Sequence, residues 1–166
     1  MTRMIKKTTH SLNRVIGLFV IAFAAIIVGT NTFAAADANE HIPVFTESGV
    51  AIRGTDAVAY FTQAKPVQGK EEFAAEYQGA TWHFSSAENR DTFLSDPEKY
   101  APAYGGYCAY ALSLGTYKVE TDPHAWSIVD GRLYLNKTPV VRSIWETDIP
   151  GNIVKSEENW AAVISE

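Results

Sequence analysis

The amino terminus constrains the chain most, because it contains an apolar run that is too short for an ordinary membrane span. Residues 15–29 (VIGLFVIAFAAIIVG) are apolar, four basic residues and no acid precede them, and residues 34–36 are alanine. As a helix this run would rise about 22 Å, against about 30 Å for the hydrocarbon core of a bilayer. The pattern is typical of a secretory signal peptide. We predict that residues 1–36 are a signal peptide and that the mature protein is periplasmic or secreted; a retained membrane anchor is the alternative.

Cleavage can follow Ala36 or Ala38, because each closes an A-x-A pattern. A cut after Ala38 would begin the mature chain with Asn39, Glu40 and His41. The free amine, two amide nitrogens and the imidazole would then form a square-planar site suited to Cu(II) or Ni(II). The alternative is an ordinary solvated tail.

Composition limits what the mature chain can bind. Without residues 1–36 it keeps 130 residues, enough for one domain with its own core. The mature chain then contains ten Lys and Arg and 19 Asp and Glu, which gives a formal charge of −9. Such a charge repels phosphate backbones, so we expect no nucleic-acid binding. We expect contact with a membrane only through an uncleaved signal segment.

Cys108 is the only cysteine of the chain, which excludes an intramolecular disulfide, a CxxC pair and paired zinc-type cysteines. A free cysteine usually packs as a small buried hydrophobe. However, Gly105 and Gly106 precede a predicted short helix over residues 107–114, and the positive end of a helix favours a thiolate. We predict that Cys108 lies partly shielded at the wall of an aromatic-lined cleft. The neighbouring tyrosines 100, 104, 107 and 110 either pack in the core and its rim or line this cleft.

Two segments predict antiparallel hairpins. FAAEY (residues 73–77) and ATWHFS (80–85) flank a Gln-Gly turn, and WSIVDGRLYLN (126–136) places Asp-Gly between two β-rich runs. The S-x-x-E sequence that begins at Ser85 predicts a helix over 86–94, with Ser85 as its cap. Residues 37–53 read as a loosely ordered lead-in with at most one short strand.

The carboxyl-terminal part is predicted to be helical. Thr138 and Pro139 are typical of a capping residue followed by the first helical position, which predicts a helix to about residue 146. Further helical turns are expected over 149–163, with Trp145 and Trp160 as core anchors. The fold class is therefore α+β: a compact single domain of small antiparallel hairpins packed with short helices.

Four segments of the chain resemble YHS domain proteins, in particular the small exported single-domain members. They are GTDAVAYF (residues 54–61), the long stretch 76–110, the DGRLYLN hairpin and DIPGNI (148–153). The resemblance implies a YHS-like domain over residues 54–166. It also implies an association with metal handling, copper above all, and with accessory roles beside transport ATPases and oxygenases.

The departures from the family pattern concern the metal ligands. Metal-associated YHS domains carry cysteines in a D-P-V-C-type segment and in an F-C-S-x-x-C-R segment. Here the first segment reads DAVAYF, and the second reads FSSAENR, with Ser85 and Asn89 in place of the two cysteines. His83 and Ser86 match the family's histidine and serine, and Trp82 stands in place of its tyrosine. We expect this chain to share the fold of the family and to lack its thiolate metal site.

The ligands that remain suggest a different metal site. Cys108 with His83 or His124 could hold Cu(I) at low coordination, or Zn²⁺ if acids complete a tetrahedron. The alternative for each histidine is a structural role. The mature chain keeps no methionine, which argues against a methionine-rich Cu(I) site.

Three functions follow from these observations. The first is a non-enzymatic exported protein that binds or relays a metal, above all copper, through Cys108 and a histidine. The second is a metal-free interaction or scaffold module with a YHS fold and a protein partner. The third is a thiol redox or small-ligand-binding protein that uses Cys108. No motif of a hydrolase, kinase, metalloprotease or dinucleotide-binding enzyme occurs in the sequence, so we expect no enzymatic activity.

Overall fold

The structure is a computed structural model that describes residues 42–165, all of which belong to one compact unit. The predicted signal peptide, both cleavage sites and His41 lie outside the described residues, so those expectations stay predictions. Within the described range, no helix combines the length and the apolar character needed to cross a bilayer.

Six strands and six α-helices build the described part of the chain, and they confirm the α+β class. The strands are β1 (Thr46–Glu47), β2 (Val50–Ala51), β3 (Lys70–Tyr77), β4 (Ala80–Phe84), β5 (Asp122–Val129) and β6 (Arg132–Asn136). The helices are α1 (Ala57–Gln63), α2 (Ala87–Ser95), α3 (Pro97–Tyr100), α4 (Ala109–Leu114), α5 (Pro139–Trp145) and α6 (Ile149–Ile164).

Both predicted hairpins are confirmed. In the first, β3 and β4 pair around Gln78 (φ 52°) and Gly79 (φ 69°), the two positive φ values of a type I′ turn. In the second, β5 and β6 pair around Asp130 (φ 50°) and Gly131 (φ 78°). The first hairpin belongs to a four-stranded sheet of order β1-β2-β4-β3, in which β2 runs parallel to β4. The second forms a separate two-stranded sheet.

The amino-terminal lead-in is more ordered than its sequence predicts. It supplies two short strands, β1 and β2, where at most one was expected. Phe45 and Ile52 are buried in the fold, and this burial holds the segment in place. Helix α1, which follows this segment and is capped by Asp56, was not among the predicted elements.

The carboxyl-terminal helices lie where the sequence predicts them, whereas helix α2 has a different capping residue from the one predicted. Thr138 caps α5 through its hydroxyl, and Trp145 and Trp160 are buried as expected. Helix α2 is capped by Ser86, whose Oγ accepts from the backbone N–H of Asn89 at 3.2 Å. The prediction that Ser85 caps this helix was therefore wrong, because the hydroxyl of Ser85 is bound elsewhere.

Strand β6 separates two hydrophobic clusters. Successive strand residues point to opposite faces, so Leu133 and Leu135 pack into the first cluster and Tyr134 packs into the second. The first cluster joins the β3–β4 hairpin, α1 and α2 around Trp82, and the second joins α4, α5 and α6 around Trp145. A cleft lies where these two clusters meet.

Candidate functional site

A buried carboxylate, that of Asp56, forms the centre of a closed hydrogen-bond network. The side chain is fully buried, and Asp56 is the N-cap residue of α1. Its Oδ1 accepts from the backbone N–H groups of Val58 at 2.9 Å and Ala59 at 3.2 Å. These are first-turn donors of a helix, which have no partner within the helix itself.

The second carboxylate oxygen of Asp56 binds residues that are distant in the sequence. Oδ2 accepts from the backbone N–H of Ser85 at 2.8 Å, from its Oγ at 2.6 Å and from Nδ2 of Asn89 at 2.7 Å. Nδ2 of Asn89 also lies 3.3 Å from Oγ of Ser85. The carboxylate thus meets five N–H or O–H groups, which is how a buried charge without a cation partner is satisfied.

This network lies where the resemblance drawn from the sequence implies thiolate ligands. That resemblance places Ala59 at the cysteine of the D-P-V-C-type segment and Ser85 and Asn89 at the other two. The fold brings all three residues together around Asp56. Ala59 offers no ligand atom in its side chain, and Oγ of Ser85 and Nδ2 of Asn89 both donate to the carboxylate. A soft metal ion prefers thiolate ligands. The residues present therefore do not fit the metal site that the family pattern implies.

Cys108 is buried, with 1% of its surface exposed. It is the residue that precedes α4, not a residue of the first helical turn, and its Sγ lies 3.6 Å from Oδ1 of Asn136. The expectation of a partly shielded thiol at a cleft wall was wrong. Instead, the side chain fills a space next to the end of β6, as a small apolar residue would.

The two candidate histidines lie in different settings. His83 is a half-buried residue of β4 opposite Ala74, and its Nδ1 lies beside Gly54. His124 lies on β5 with 76% of its side chain exposed, and its Nδ1 is 3.2 Å from Oδ1 of Asp122. Among residues 42–165, no three His, Cys, Asp or Glu side chains lie close enough to share a metal ion. A metal site of Cys108 with one histidine stays a prediction.

An aromatic cleft of about 380 Å³ opens at the junction of the two clusters. This volume is within the range of small-molecule sites. Tyr77 and Trp82 line it from the first cluster, and Tyr104 and Trp160 line it from the second. Of the tyrosines 100, 104, 107 and 110, only Tyr104 lines this cleft, and Cys108 does not. All four tyrosines are buried in the two clusters or partly buried against them, which is the packing alternative.

The wall at Tyr104 has an unusual backbone. Tyr104 and Gly105 have φ values of 58° and 59°, in the left-handed region that a bulky side chain rarely adopts. Two bonds fix this turn: the N–H of Phe45 donates to the carbonyl of Gly105 at 2.9 Å, and the N–H of Tyr107 donates to that of Tyr104 at 3.1 Å. Backbone strain of this kind is concentrated at functional sites.

Charged groups at the cleft are few and partly paired. Arg132 pairs with Glu157 through Nη1 and Oε1 at 2.9 Å, and its guanidinium lies 5.8 Å from the centre of the Tyr104 ring. The Tyr104 hydroxyl donates to the same Glu157 oxygen at 3.3 Å. Burial, followed by the nearby charge of Glu157, raises the pKa of Tyr104 above its ordinary value, so this ring stays neutral at physiological pH.

Sequence reasoning missed both the Asp56 network and most of the cleft. The G-T-D-A-V segment carries a weak signal for Asp56, because an acid before an apolar run is typical of a helix cap. No sequence signal joins Asp56 to Ser85 and Asn89, which are about thirty positions away, or Trp82 to Trp160.

Comparison with known proteins supports the resemblance drawn from the sequence. Residues 58–104 match the family model of the YHS domain, which is associated with heavy-metal handling. This span contains the positions of Ala59, Ser85 and Asn89. No curated protein and no solved structure gives a significant match to the chain.

Proposed function

We propose that this chain, which carries a YHS domain, is an exported, non-enzymatic binding protein that works without a thiolate metal centre. The Asp56 network is the observation that supports this most directly. Ser85 and Asn89 stand where the family has cysteines, and their polar groups satisfy a buried carboxylate. A satisfied buried network of this kind makes the local structure rigid, so the former metal position has a structural role here.

The aromatic cleft supports the binding role. It is the concave, mostly apolar kind of site in which proteins hold small ligands, with a few polar groups at its edge. Export is supported by the charge and hydropathy pattern of residues 1–36, and the non-enzymatic role by the lack of catalytic motifs in the sequence.

Copper handling through Cys108 and a histidine, His83 or His124, is the second candidate. It is favoured by the family match, since YHS domains are associated with heavy metals. Cys108 is also the one soft ligand that the chain retains after loss of the signal segment. The same residues would bind Zn²⁺ in place of copper if acidic side chains completed the site.

Metal titration separates the two candidates. The mature chain, the Cys108→Ser variant and a Cys108→Ala variant would be equilibrated with Cu(I) under reducing conditions and with Zn²⁺, and bound metal would be measured after gel filtration. Cu(I) avoids the amino-terminal nitrogens near His41, which suit Cu(II). We expect all three proteins to retain the same small fraction of metal.

One copper per chain in the wild type, lost in both Cys108 variants, would overturn the proposal in favour of copper handling. His83→Ala and His124→Ala would then identify the histidine. Thermal unfolding of each variant serves as the control, because Cys108 is buried and its replacement must leave the fold intact.

A further inference from the structure

Strand β3 lies at one edge of the four-stranded sheet, and its outer side carries backbone groups that no other strand binds. The sheet order β1-β2-β4-β3 leaves β4 as its one neighbour. Glu76 lies opposite Thr81 of β4, and the N–H of Thr81 donates away from β3, to the carbonyl of Gly49 at 3.1 Å. Pairs of an antiparallel ladder alternate between bonded and unbonded, so the N–H and C=O groups of Glu76 and of Ala74 point outwards.

The other long strand that is free of a second neighbour, β5, is protected by side chains. The Tyr60 hydroxyl donates to the carbonyl of Pro123 at 2.9 Å, and Nη1 of Arg142 donates to that of Trp126 at 3.2 Å. Within residues 42–165, no side chain and no backbone group outside the β3–β4 ladder binds the backbone of residues 70–76. An exposed edge of this kind is a template for pairing with another strand.

The charge of β3 indicates which strand would pair with it. The strand contains Lys70 and three glutamates, so its formal charge is −2. Lys70 pairs with Glu72 at 3.4 Å, whereas Glu71 and Glu76 form no ion pair within the described range. A second copy of this chain would bring the same acids to the edge, and like charges on paired strands are destabilising. A basic strand would be attracted instead.

The two faces of the sheet indicate how the partner's side chains alternate. Ala75 and Tyr77 are partly buried against the first cluster, whereas Glu76 is exposed on the opposite face. A partner residue directly opposite Glu76 would share its face, and the next partner residue would share the face of Ala75. Basic residues suit the first position and β-branched apolar residues suit the second.

From these observations, we infer that the outer edge of β3 binds an extended segment of a partner protein in which basic and apolar residues alternate. The segment adds a strand to the sheet and bonds to the outward backbone groups of Ala74 and Glu76. This inference goes beyond the proposed function, because neither the cleft nor the Asp56 network takes part.

Peptides that differ in one property test the inference. The basic peptide TKVKVKT and the acidic peptide TEVEVET, both with blocked ends, would be titrated into the isotope-labelled mature chain. We expect the basic peptide to bind with a dissociation constant on the order of 100 μM or lower, and the acidic one at least about tenfold more weakly. Bound basic peptide should slow the hydrogen exchange of the Ala74 and Glu76 amides, which are otherwise open to solvent.

Methylation of the peptide backbone separates strand addition from simple charge attraction. One form of TKVKVKT would carry N-methyl groups on its lysine amides, and the other on its valine amides. A strand presents alternate amides to its two sides. In antiparallel pairing the lysines lie opposite Ala74 and Glu76, so methylation of the lysine amides should weaken binding at least about tenfold. The valine-methylated form should bind like the unmodified peptide.

Variants of the chain locate the edge. Ala74→Pro removes one outward N–H and leaves the ladder to β4 intact, because proline is tolerated where an edge N–H faces solvent. It should weaken the basic peptide at least about fivefold. Glu76→Gln should weaken it about threefold through loss of charge. Glu158→Gln, at an exposed acid of α6, is the matched control and should leave binding unchanged. Thermal unfolding confirms that each variant is folded.

Equal binding of the basic and acidic peptides, or no binding by either, would overturn the inference. Equal binding of the two methylated forms would also overturn it, even if Ala74→Pro failed to fold, because charge alone would then explain the binding. A dimer of the chain in which the Ala74 and Glu76 amides are protected without peptide would identify a second copy as the occupant and likewise overturn it. Failure here would leave the metal titration of Cys108 variants as a separate test of the proposed function.

Discussion

Ser85 and Ser86 are adjacent in the sequence and bind different groups. The hydroxyl of Ser85 donates to the buried carboxylate of Asp56 at 2.6 Å, whereas that of Ser86 accepts from a backbone N–H at the start of α2. The first bond involves a fully buried charge, and the second is an ordinary helix cap. A hydrogen bond to a charged group is worth more than a neutral one, so the two serines should differ in their contribution to stability.

We expect Ser85→Ala to lower the free energy of unfolding by about 2 kcal/mol and Ser86→Ala by about 1 kcal/mol. Urea unfolding of the two variants and the wild type measures the difference. Each serine is the control for the other, because both changes remove the same atom one residue apart. Equal losses, or a larger loss in Ser86→Ala, would show that Ser85 is not an essential donor to Asp56.

The sequence was informative about α2 to within one residue, and the error has a physical cause. Both Ser85 and Ser86 precede the helix, and the S-x-x-E spacing favours Ser85 when only local contacts are considered. A carboxylate 29 positions away then binds the first serine and leaves the second as the cap. A capping pattern read from neighbouring residues cannot include a carboxylate that only the tertiary fold brings next to Ser85.

At the scale of elements, the segment that leads into β1 packs against the turn before α4. Phe45 donates its N–H to the carbonyl of Gly105, and the Tyr107 hydroxyl lies 3.4 Å from the carbonyl oxygen of Val44. Gly105 has no side chain at a point where a Cβ would overlap the carbonyl oxygen of Pro43. Two segments about 60 residues apart in the sequence are therefore in close contact at one glycine. Val44 and Gly105, one from each segment, both line the cleft.

We expect Gly105→Ala to lower the free energy of unfolding by about 2 to 4 kcal/mol, since it combines a positive φ with a steric overlap. Gly131→Ala is the matched control: its φ is also positive, at 78°, but nothing lies within 4 Å of the added methyl group. The free energy of unfolding of this control should fall by only about 1 kcal/mol, which is the cost of the positive φ for alanine. Similar losses in the two variants, measured by thermal or urea unfolding, would contradict the close contact.

Elements with strong local signals were predictable, and the contacts between them were not. The Asp130-Gly131 turn and the Thr138 cap each depend on a few neighbouring residues, so both were predicted correctly. Strands β1 and β2 are two residues each, and no periodicity can be read from so short a segment. The cleft combines residues from five separate parts of the chain, and of these only Tyr104 was among the residues considered for a cleft from the sequence.

At the scale of the whole molecule, buried tyrosines link the parts of the core. Tyr60 of α1 has 1% of its surface exposed, its ring lies 5.3 Å from that of Trp126, and its hydroxyl donates to the carbonyl of Pro123 at 2.9 Å. It thereby joins the first cluster to β5. Burial raises the pKa of Tyr60 well above its ordinary value, with a smaller contribution from the charge of Asp122. Burial raises the pKa of Tyr104 as well.

These shifts predict the behaviour of the protein at alkaline pH. In the unfolded chain a tyrosine ionises near pH 10, whereas in the folded chain Tyr60 keeps its proton to higher pH, so the unfolded state loses protons first. The stabilisation due to the raised pKa is complete below pH 10 and is lost as the pH rises towards the folded value. Each such tyrosine should lower the free energy of unfolding by up to about 1.4 kcal/mol per pH unit above pH 10.

Tyr60→Phe tests this prediction, because it keeps the ring and removes the ionisable group. We expect the variant to be about 1 kcal/mol less stable than the wild type at pH 8, through loss of the bond to Pro123. Between pH 10 and 12 its stability should fall less steeply, by up to about 1.4 kcal/mol per pH unit, so that the two curves converge. Tyr117→Phe, at a position with 60% of its surface exposed, should follow the wild-type curve. Urea unfolding at closely spaced pH values measures the slopes, and parallel curves for Tyr60→Phe and the wild type would show that the Tyr60 hydroxyl does not resist ionisation in the folded core.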